Sequence, residues 1–474
     1  MVAESPDALS REELIALVQT LLARVAELER RLGLNSSNSG KPPSSDGLKK
    51  PPRVRSLRER FGRKPGGQKG HKGETLRQAA NPDEIIDHFP HACSGCGGVL
   101  TPANVTQALA FDHAARQVHD LPDPQPLFVT EHRAHVCRCE RCGVQTRASF
   151  PEGVNAPVQY GARIAAFAVY LMHQQLLPQK RLVSLMADLF GVRIAAATLE
   201  GMSRACALRL RGFTATVRDL VACASVKHMD ETGFRIGGKT QWLHVACTVL
   251  MTFYRTCAKR GSLLADVTGI VVHDHWKPYY TMTGVLHALC NAHHLRELKA
   301  LVEIEKEDWA RQMQRLLRRA CHAVNLARER GIPLKPGLIA CIERSYDAIV
   351  AEGLAFHEKQ TPLARAAPKG NGKTRGCAPR RPGHNLLARF QKRREDTLRF
   401  LHDPSVPFSN NEAERDVRMM KLRMKISGGF RSLEGAADFA VIRGFLSTAR
   451  KQGWNIIQAL TRDPAELAKR LRCA

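Results

Sequence analysis

The sequence has no long apolar run, and its opening residues lack the basic stretch that begins a signal peptide. The longest apolar run, residues 164–172, is about half of the roughly 18 residues that a membrane-spanning helix needs. The first residues instead carry Glu4, Asp7, Glu12 and Glu13. Both absences argue against membrane insertion and export. We therefore expect a cytoplasmic protein with no membrane partner.

Acidic residues are scarce relative to basic ones. Across 474 residues, 45 Asp and Glu face 72 Lys and Arg, which gives a formal net charge of +27. An excess of this size favours a polyanionic partner, nucleic acid before a membrane surface. A chain of this length also predicts three or more domains, because a single hydrophobic core stops growing well below it.

Basic residues concentrate in two segments. Residues 41–72 contain eleven Lys and Arg and two acids, and residues 364–394 contain ten and no acid. We interpret the first as a flexible arm that tracks phosphates or, alternatively, as a solvated linker. We interpret the second as a disordered or DNA-ordered loop inside a helical insertion.

Cysteine is plentiful, with 14 residues, and four of them form two Cys-x-x-Cys-Gly knuckles. In a reducing compartment such pairs favour metal over disulfides. Four thiolates complete a tetrahedral structural zinc site. We therefore expect Zn²⁺ at Cys93, Cys96, Cys139 and Cys142 of a zinc-ribbon-like module with an inserted β segment. Cys137 is a spare thiol that could substitute for one of them.

Two segments before residue 220 have helical patterns. Heptad spacing near the start of the chain joins Leu14, Val18, Leu21, Val25, Leu28 and Leu32. It predicts a helix that ends near Gly33 and self-associates as a coiled coil, or alternatively docks on its own chain. Residues 151–220 also read as helical, and 181–190, 191–192 and 195–210 have the layout of a helix-turn-helix or of an ordinary helical hairpin.

From Ser225 the apolar period becomes strand-like. The β-prone runs are residues 225–236, 240–249, 252–258, 269–273 and 285–290, with a short helical stretch at 263–267. Three strands in a meander, a helix and two further strands is the order of a ribonuclease-H-like fold. The first and fourth strands are neighbours in that fold. A long, mostly helical segment follows at 295–403.

The first of these runs carries Asp230 where a strand meets a Thr-Gly turn, and the fourth ends on Asp274. Phosphodiester cleavage needs charge neutralised on the attacking and leaving oxygens, and two metal ions can do this. Mg²⁺ prefers hard oxygen ligands and keeps several waters, so a few carboxylates suffice. Alternation along the strand places Glu231 on the face opposite Asp230, which makes it the weaker candidate.

A third carboxylate must come from a helix packed over the sheet. The helix that begins after a cap at Asn410 or Asn411 carries Glu412 and Glu414, which point roughly 200° apart. The core-facing stripe of this helix is marked by Ala413, Val417 and Met420. Glu414 lies nearer to that stripe than Glu412, so we favour Glu414.

Several neighbouring side chains have structural interpretations as well. For His273 and His275 we favour structural roles over metal ligation. The same holds for the trio formed by Cys290, His293 and His294. Packing is favoured over base stacking for Trp242 and Trp276, whereas phosphate binding and solvation are nearly balanced for Arg415 and Arg418.

Taken together, these motifs resemble those of transposases of the insertion-sequence-66 (IS-66) family, which are DDE enzymes. Besides the two knuckles, the matching segments are Leu34-Asn-Ser-Ser-Asn-Ser-Gly-Lys-Pro-Pro-Ser-Ser-Asp46, Gly66-Gly-Gln-Lys-Gly-His71, Met229-Asp-Glu-Thr232, His273-Asp-His-Trp276, Cys290-Asn-Ala-His-His-Leu-Arg-Glu297, Asn410-Asn-Glu-Ala-Glu-Arg415 and Ser427-Gly-Gly-Phe-Arg431. The resemblance implies a ribonuclease-H-like core with a helical insertion before the glutamate. It also implies catalytic Asp230, Asp274 and Glu414, holding two Mg²⁺ or Mn²⁺ ions.

The expected architecture is multidomain α+β. Its parts are a coiled-coil helix (1–33), a flexible basic linker (34–80), a zinc-binding module (81–150), a helical DNA-binding segment (151–222), a ribonuclease-H-like α/β core in two parts (223–294 and 405–452), a helical insertion with a basic loop (295–404) and a C-terminal tail (453–474).

Three functions remain open from the sequence. The resemblance favours a nucleoid-associated DNA transposase that cleaves transposon ends and joins them to target DNA. It would work as a homo-oligomer, and the resemblance also suggests accessory proteins of the same element as partners. The alternatives are a catalytically inactive, zinc-dependent DNA-binding protein and a ribonuclease-H-like nuclease.

Overall fold

The structure is a computed structural model that describes residues 10–35, 38, 78–86, 88, 91–92, 94–99, 116–119, 127–261, 263–361, 363 and 380–473. The helices are α1 (Arg11–Gly33), α2 (Ala162–His173), α3 (Gln179–Phe190), α4 (Ala196–Cys223), α5 (Asn291–Ala300), α6 (Asp308–Arg330), α7 (Pro336–Glu358), α8 (Pro382–Lys392), α9 (Arg394–His402), α10 (Asn411–Ser427), α11 (Leu433–Lys451), α12 (Ile456–Thr461) and α13 (Pro464–Lys469). The strands are β1 (Val136–Arg138), β2 (Gln145–Arg147), β3 (Val226–Ile236), β4 (Lys239–Cys247), β5 (Thr252–Cys257), β6 (Gly269–His273) and β7 (Val285–Leu289). The α+β class is confirmed.

The chain divides into two compact units. One unit comprises Met1–Leu57, His132–Asp188 and Arg193–Ala474, and it contains all seven strands. The other comprises Arg58–Glu131 and Leu189–Val192. Among the described residues, none of the helices combines the length and the apolar character needed to span a membrane.

The larger unit is built on a five-stranded mixed sheet with the order β5-β4-β3-β6-β7. The first three strands form an antiparallel meander, and β6 and β7 pair in parallel. All five β-prone runs are confirmed as strands. The first and fourth strands, β3 and β6, are neighbours as expected, with Val226 paired to Ile270.

The predicted helix at 263–267 is wrong, because the described residues of that stretch form no helix. Leu263 and Leu264 instead pack against the core as irregular backbone, and Val267 is buried there. Asp266 adopts a left-handed conformation with φ of 57°, which is incompatible with a continuing helix. A five-residue segment is also too short to form a helix without strong packing.

Helices cover both faces of the sheet. On the face of Met229 and Val271, the sheet packs with α2, α4, α11, α12 and α13. On the opposite face, Val245 and Tyr254 pack against α10 and α11. Val272 of β6 packs against the helical segment from α5 to α9. The helices α12 and α13 lie in the segment 453–474, for which the sequence suggested a C-terminal tail. Leu467 of α13 is buried in the core.

The sequence predicts a loop for the basic segment 364–394, and this prediction is wrong for its second half. Residues 364–379 lie outside the described residues, but the helix α8 occupies Pro382–Lys392. The apolar residues Leu386, Leu387 and Phe390 share one buried face of this helix. The basic composition had masked an amphipathic pattern, because the cations lie on its other side.

Only part of the predicted zinc module is described. Cys93 lies outside the described residues, so the four-thiolate site stays a prediction. Cys139 and Cys142 lie in the turn between β1 and β2, both exposed. The N–H groups of Cys142 and Arg141 lower the pKa of the Cys139 thiol. The glycine after this knuckle, Gly143, has φ of 73°, a backbone conformation that favours glycine.

Gly383, at the start of α8, touches a buried polar pair. A Cβ there would lie 2.4 Å from Oε2 of Glu307 and 2.6 Å from Nε2 of His357. Both side chains are buried, and Glu307 also accepts a hydrogen bond from Nε1 of Trp309 at 2.7 Å. Only glycine fits beside this pair.

We therefore expect Gly383→Ala to lower the free energy of unfolding by about 2 kcal/mol, since the added methyl overpacks the core. Gly337→Ala is the matched control. Gly337 also follows a proline at the start of a helix, α7, but a Cβ there has nothing within 4 Å. It should leave stability unchanged or raise it by up to about 1 kcal/mol. Urea unfolding followed by the fluorescence of Trp309 measures both, and equal effects would contradict the assignment.

Candidate functional site

An aspartate lies just beyond the paired part of each of the neighbouring strands β3 and β6. Their last paired residues are His228 and Val272. Two residues further along each chain, Asp230 and Asp274 come to the same level of the sheet and face the same side, because side chains alternate along a strand. Both are partly buried. The sheet register alone thus brings the two predicted aspartates together.

The helix α10 is tied to β3 by one amide side chain. Nδ2 of Asn410 donates a hydrogen bond to the carbonyl of Met229 at 2.7 Å, and its Oδ1 lies 2.9 Å from Nδ1 of His228. Asn410 occupies the N-cap position of α10, as one of the two predicted alternatives, but its side chain makes no cap hydrogen bond. The two buried groups on β3 compete successfully for the amide.

Of the two glutamates on α10, Glu414 is the more buried. Its side chain is 12% exposed, whereas that of Glu412 is 27% exposed and pairs with Arg415. The stripe of Ala413, Val417 and Met420 is buried, as predicted. The charge of Glu414 reaches Asp230 and helps to raise its pKa.

The charges of Asp274 and Glu414 therefore act on Asp230. Burial raises the pKa of Asp230 from 3.8 to about 8, and the charges of Glu231, Asp274 and Glu414 add to the effect. A hydrogen bond of 2.8 Å from the N–H of Glu231 acts in the opposite direction. Such a cluster of hard oxygen donors fits divalent cations, whose charge would relieve the repulsion.

Glu231 has a different environment from Asp230. Its side chain is 1% exposed, and Oε1 accepts hydrogen bonds from Nε and Nη2 of Arg260 at 2.8 and 2.6 Å. Oε2 accepts one from the hydroxyl of Tyr279 at 2.7 Å. The guanidinium of Arg260 in turn lies over the rings of Trp242 and Trp276. Sequence reasoning missed Arg260, because nothing in the loop after β5 marks it locally.

The histidines beside Asp274 are engaged in side-chain networks. His273 is fully buried, and burial lowers its pKa to about 3. Its Nε2 lies 3.1 Å from Nδ1 of His287. Nδ1 of His275 lies 2.7 Å from the hydroxyl of Tyr280. These contacts agree with the structural roles that we favoured.

The structure splits the trio of Cys290, His293 and His294. Cys290 and His293 lie against Glu414, in a group whose potential ligand atoms are all within 4.8 Å of one another. His294 turns away and contacts Oδ1 of Asn291 at 3.0 Å. Local sequence could not show this arrangement, because Glu414 joins it from a distant helix.

Comparison with known proteins decides the family. The sequence model of the Transposase IS66 family matches residues 157–438, more than half of the chain. The chain belongs to the IS66 transposase family. The matched region of this IS66-family protein includes Asp230, Asp274 and Glu414. A second model, of a family of unknown function, matches residues 4–77.

One curated protein is similar to a small part of this IS66-family chain. It is the uncharacterized protein y4jO of Sinorhizobium fredii (strain NBRC 101917 / NGR234), with 35% identity over 68 residues. The match covers 14% of this chain and 21% of the relative. It therefore spans about a fifth of the length of that protein.

The raised pKa of Asp230 predicts how stability depends on pH in Mg²⁺-free buffer. Because the folded pKa of about 8 exceeds the ordinary 3.8, the stability contributed by protonated Asp230 is present below about pH 3.8 and is lost as pH rises through about 8. Asp230→Asn stays neutral. We expect it to exceed the wild type in free energy of unfolding by on the order of 4 kcal/mol at about pH 9, and to match it near pH 4. Urea titrations at several pH values measure the difference, and a pH-independent difference would refute the assignment.

Proposed function

We propose that this protein is a DNA transposase of the DDE type. It would cleave phosphodiester bonds at transposon ends and join the freed 3′-hydroxyl to target DNA. The observation that carries the proposal is that the charges of Asp274 and Glu414 both act on the buried carboxyl group of Asp230, together with membership of the IS66 family. The strand order supports a ribonuclease-H-like core with the segment from α5 to α9 inserted before the glutamate.

Asp230, Asp274 and Glu414 would hold two Mg²⁺ or Mn²⁺ ions. Bound there, the ions would neutralise charge on the attacking and leaving oxygens of the phosphodiester. The residues fit such ions because all three offer hard carboxylate oxygens and repel one another without a cation. The protein positions the oxygens: the sheet register fixes the aspartates, and Asn410 fixes the first turn of α10.

A basic ridge on α10 supports DNA as the substrate. Arg418, Lys421 and Lys425 are exposed and lie within about 40° of Glu414 around the helix axis. The ridge extends from Glu414 for about 16 Å along the helix, at a rise of ~1.5 Å per residue. Phosphates of a strand whose scissile bond lies at Glu414 could follow this line of cations.

The remaining modules would support assembly. On α1, the heptad residues Val18, Leu21, Val25, Leu28 and Leu32 are at least 45% exposed. An exposed apolar stripe of this kind favours a homo-oligomer formed through α1. The knuckle of Cys139 and Cys142, with N–H groups directed at Cys139, favours structural zinc.

The catalytic assignment predicts that Glu414→Gln lowers Mg²⁺-dependent cleavage of DNA carrying a transposon end by on the order of 10³-fold, because a metal ligand is worth several kcal/mol of transition-state stabilisation. Glu412→Gln is the matched control on the same helical turn and should leave cleavage within a few-fold. End-specific nicking followed by joining supports a transposase. Cleavage without joining favours a nuclease, and DNA binding without metal-dependent cleavage by the wild type favours an inactive DNA-binding protein.

The basic ridge predicts a change in salt dependence. The double variant Lys421→Gln, Lys425→Gln should reduce the slope of log Kd against log salt by about 0.9 for each phosphate contact removed. The control is Arg315→Gln, Arg319→Gln, which removes two exposed cations at the same four-residue spacing from α6. Fluorescence anisotropy with labelled DNA gives both slopes. An equal reduction in both variants would show that the ridge is no more than general basic surface.

A further inference from the structure

Two side chains at the start of α5 lie beside one oxygen of Glu414, which comes from α10. Sγ of Cys290, which follows β7, lies 3.7 Å from Oε1 of Glu414. Nδ1 of His293, in the first turn of α5, lies 3.7 Å from the same oxygen. The sulfur, nitrogen and oxygen atoms all lie within 4.8 Å of one another. Together they offer one soft, one intermediate and one hard ligand atom.

The spacing suits ligands of a common metal ion better than hydrogen bonds. An N–H···O hydrogen bond seldom exceeds about 3.2 Å, so the 3.7 Å between His293 and Glu414 is too long for one. Two ligands held at about 2.0–2.3 Å from one metal at a tetrahedral angle lie roughly 3.3–3.6 Å apart. Nδ1 of His293 is itself buried and has no hydrogen-bond partner among the described residues. An orphaned imidazole nitrogen beside a thiol and a carboxylate is an independent sign of a missing ligand.

The surroundings hold each ligand atom in place. The N–H of Asn410 donates to Sγ of Cys290 at 3.1 Å, which fixes the sulfur beside α10. The second oxygen of Glu414, Oε2, faces Arg296 at 3.6 Å and Arg418 at 3.9 Å. The two cations thus neutralise one side of the carboxylate and leave Oε1 directed at Cys290 and His293. Supporting contacts of this kind orient ligands around metal ions.

We propose that Cys290, His293 and Glu414 form a binding site for one thiophilic divalent transition metal ion such as Zn²⁺. The fourth tetrahedral position is left to water. The thiol proton of Cys290 passes to solvent on binding. This site differs from the predicted structural zinc site of the knuckles, because its ligands lie beside the carboxylates of the sheet.

Binding has a consequence that rests on the proposed function. Glu414 cannot serve the transition metal and the Mg²⁺ pair of Asp230 and Asp274 in one geometry. Occupation of the site by Zn²⁺ therefore withdraws Glu414 from the aspartates and inhibits Mg²⁺-dependent cleavage. Through Glu414, binding of a soft metal ion such as Zn²⁺ would therefore regulate cleavage that depends on the hard ion Mg²⁺.

Co²⁺ is the probe, because cobalt–thiolate bonds absorb in the near ultraviolet. The full-length protein is titrated with Co²⁺, and bound metal is counted by equilibrium dialysis. We expect Cys290→Ser to lose one equivalent of Co²⁺ and the matching part of the absorption. Cys341→Ser, the control at an exposed cysteine outside both candidate metal sites, should keep that equivalent. The more exposed His293→Gln, which leaves the buried core intact, should also lose it.

An unchanged Co²⁺ count and spectrum in both Cys290→Ser and His293→Gln would overturn the proposal. A second measurement adds Zn²⁺ to Mg²⁺-driven cleavage. His293→Gln should need at least about 10-fold more Zn²⁺ for half inhibition than the wild type, as expected when a metal ligand is lost. If the wild type shows no cleavage but the variants lose their Co²⁺ equivalent, the proposed function fails while the metal site stands.

Discussion

The amide of Asn410 holds the first turn of α10 against β3, through the carbonyl of Met229 and the ring of His228. The constraint matters because Glu414 comes from a helix that follows the whole segment from α5 to α9. A carboxylate delivered over so long a segment needs a fixed anchor close to its own position. Asn410 lies one helical turn before Glu414 and provides it. The backbone N–H of the same residue fixes Cys290, so two sets of candidate ligands depend on one residue.

Electrostatics sets the character of the site. The sheet register places two aspartates at the same level, and α10 adds a glutamate, so the folded protein concentrates negative charge where burial makes it costly. Arg260 and Tyr279 compensate Glu231, which keeps that acid out of the cluster. Among the described residues, no cation pairs with the Asp230 carboxylate, and its pKa rises accordingly. Unrelieved repulsion of this kind is typical of functional sites rather than of stability devices.

Much of the sheet could be predicted from the sequence, because each strand is marked by a local β-prone run. Asp230 lies within one of these runs, and Asp274 directly follows another. The choice of Glu414 over Glu412 also came from a local feature, the stripe of Ala413, Val417 and Met420. The misses have a shared physical origin. The local pattern at 263–267 predicts a helix, but Leu263 and Leu264 pack against the core as irregular backbone, and this tertiary contact outweighs the local preference. The helix α8 was missed because its segment is rich in basic residues. The contacts of Arg260 with Glu231 and of Cys290 with Glu414 join residues far apart in the sequence, so a local sequence pattern does not show them.

The central claim is that Asp230, Asp274 and Glu414 form one cation site. Diffraction from crystals soaked in Mn²⁺, recorded at an energy where manganese scatters anomalously, locates such ions directly. The account predicts anomalous peaks bounded by the three carboxylates, and their disappearance in crystals of the Asp230→Asn variant. Peaks elsewhere in the wild type, with no manganese between the three carboxylates, would contradict it.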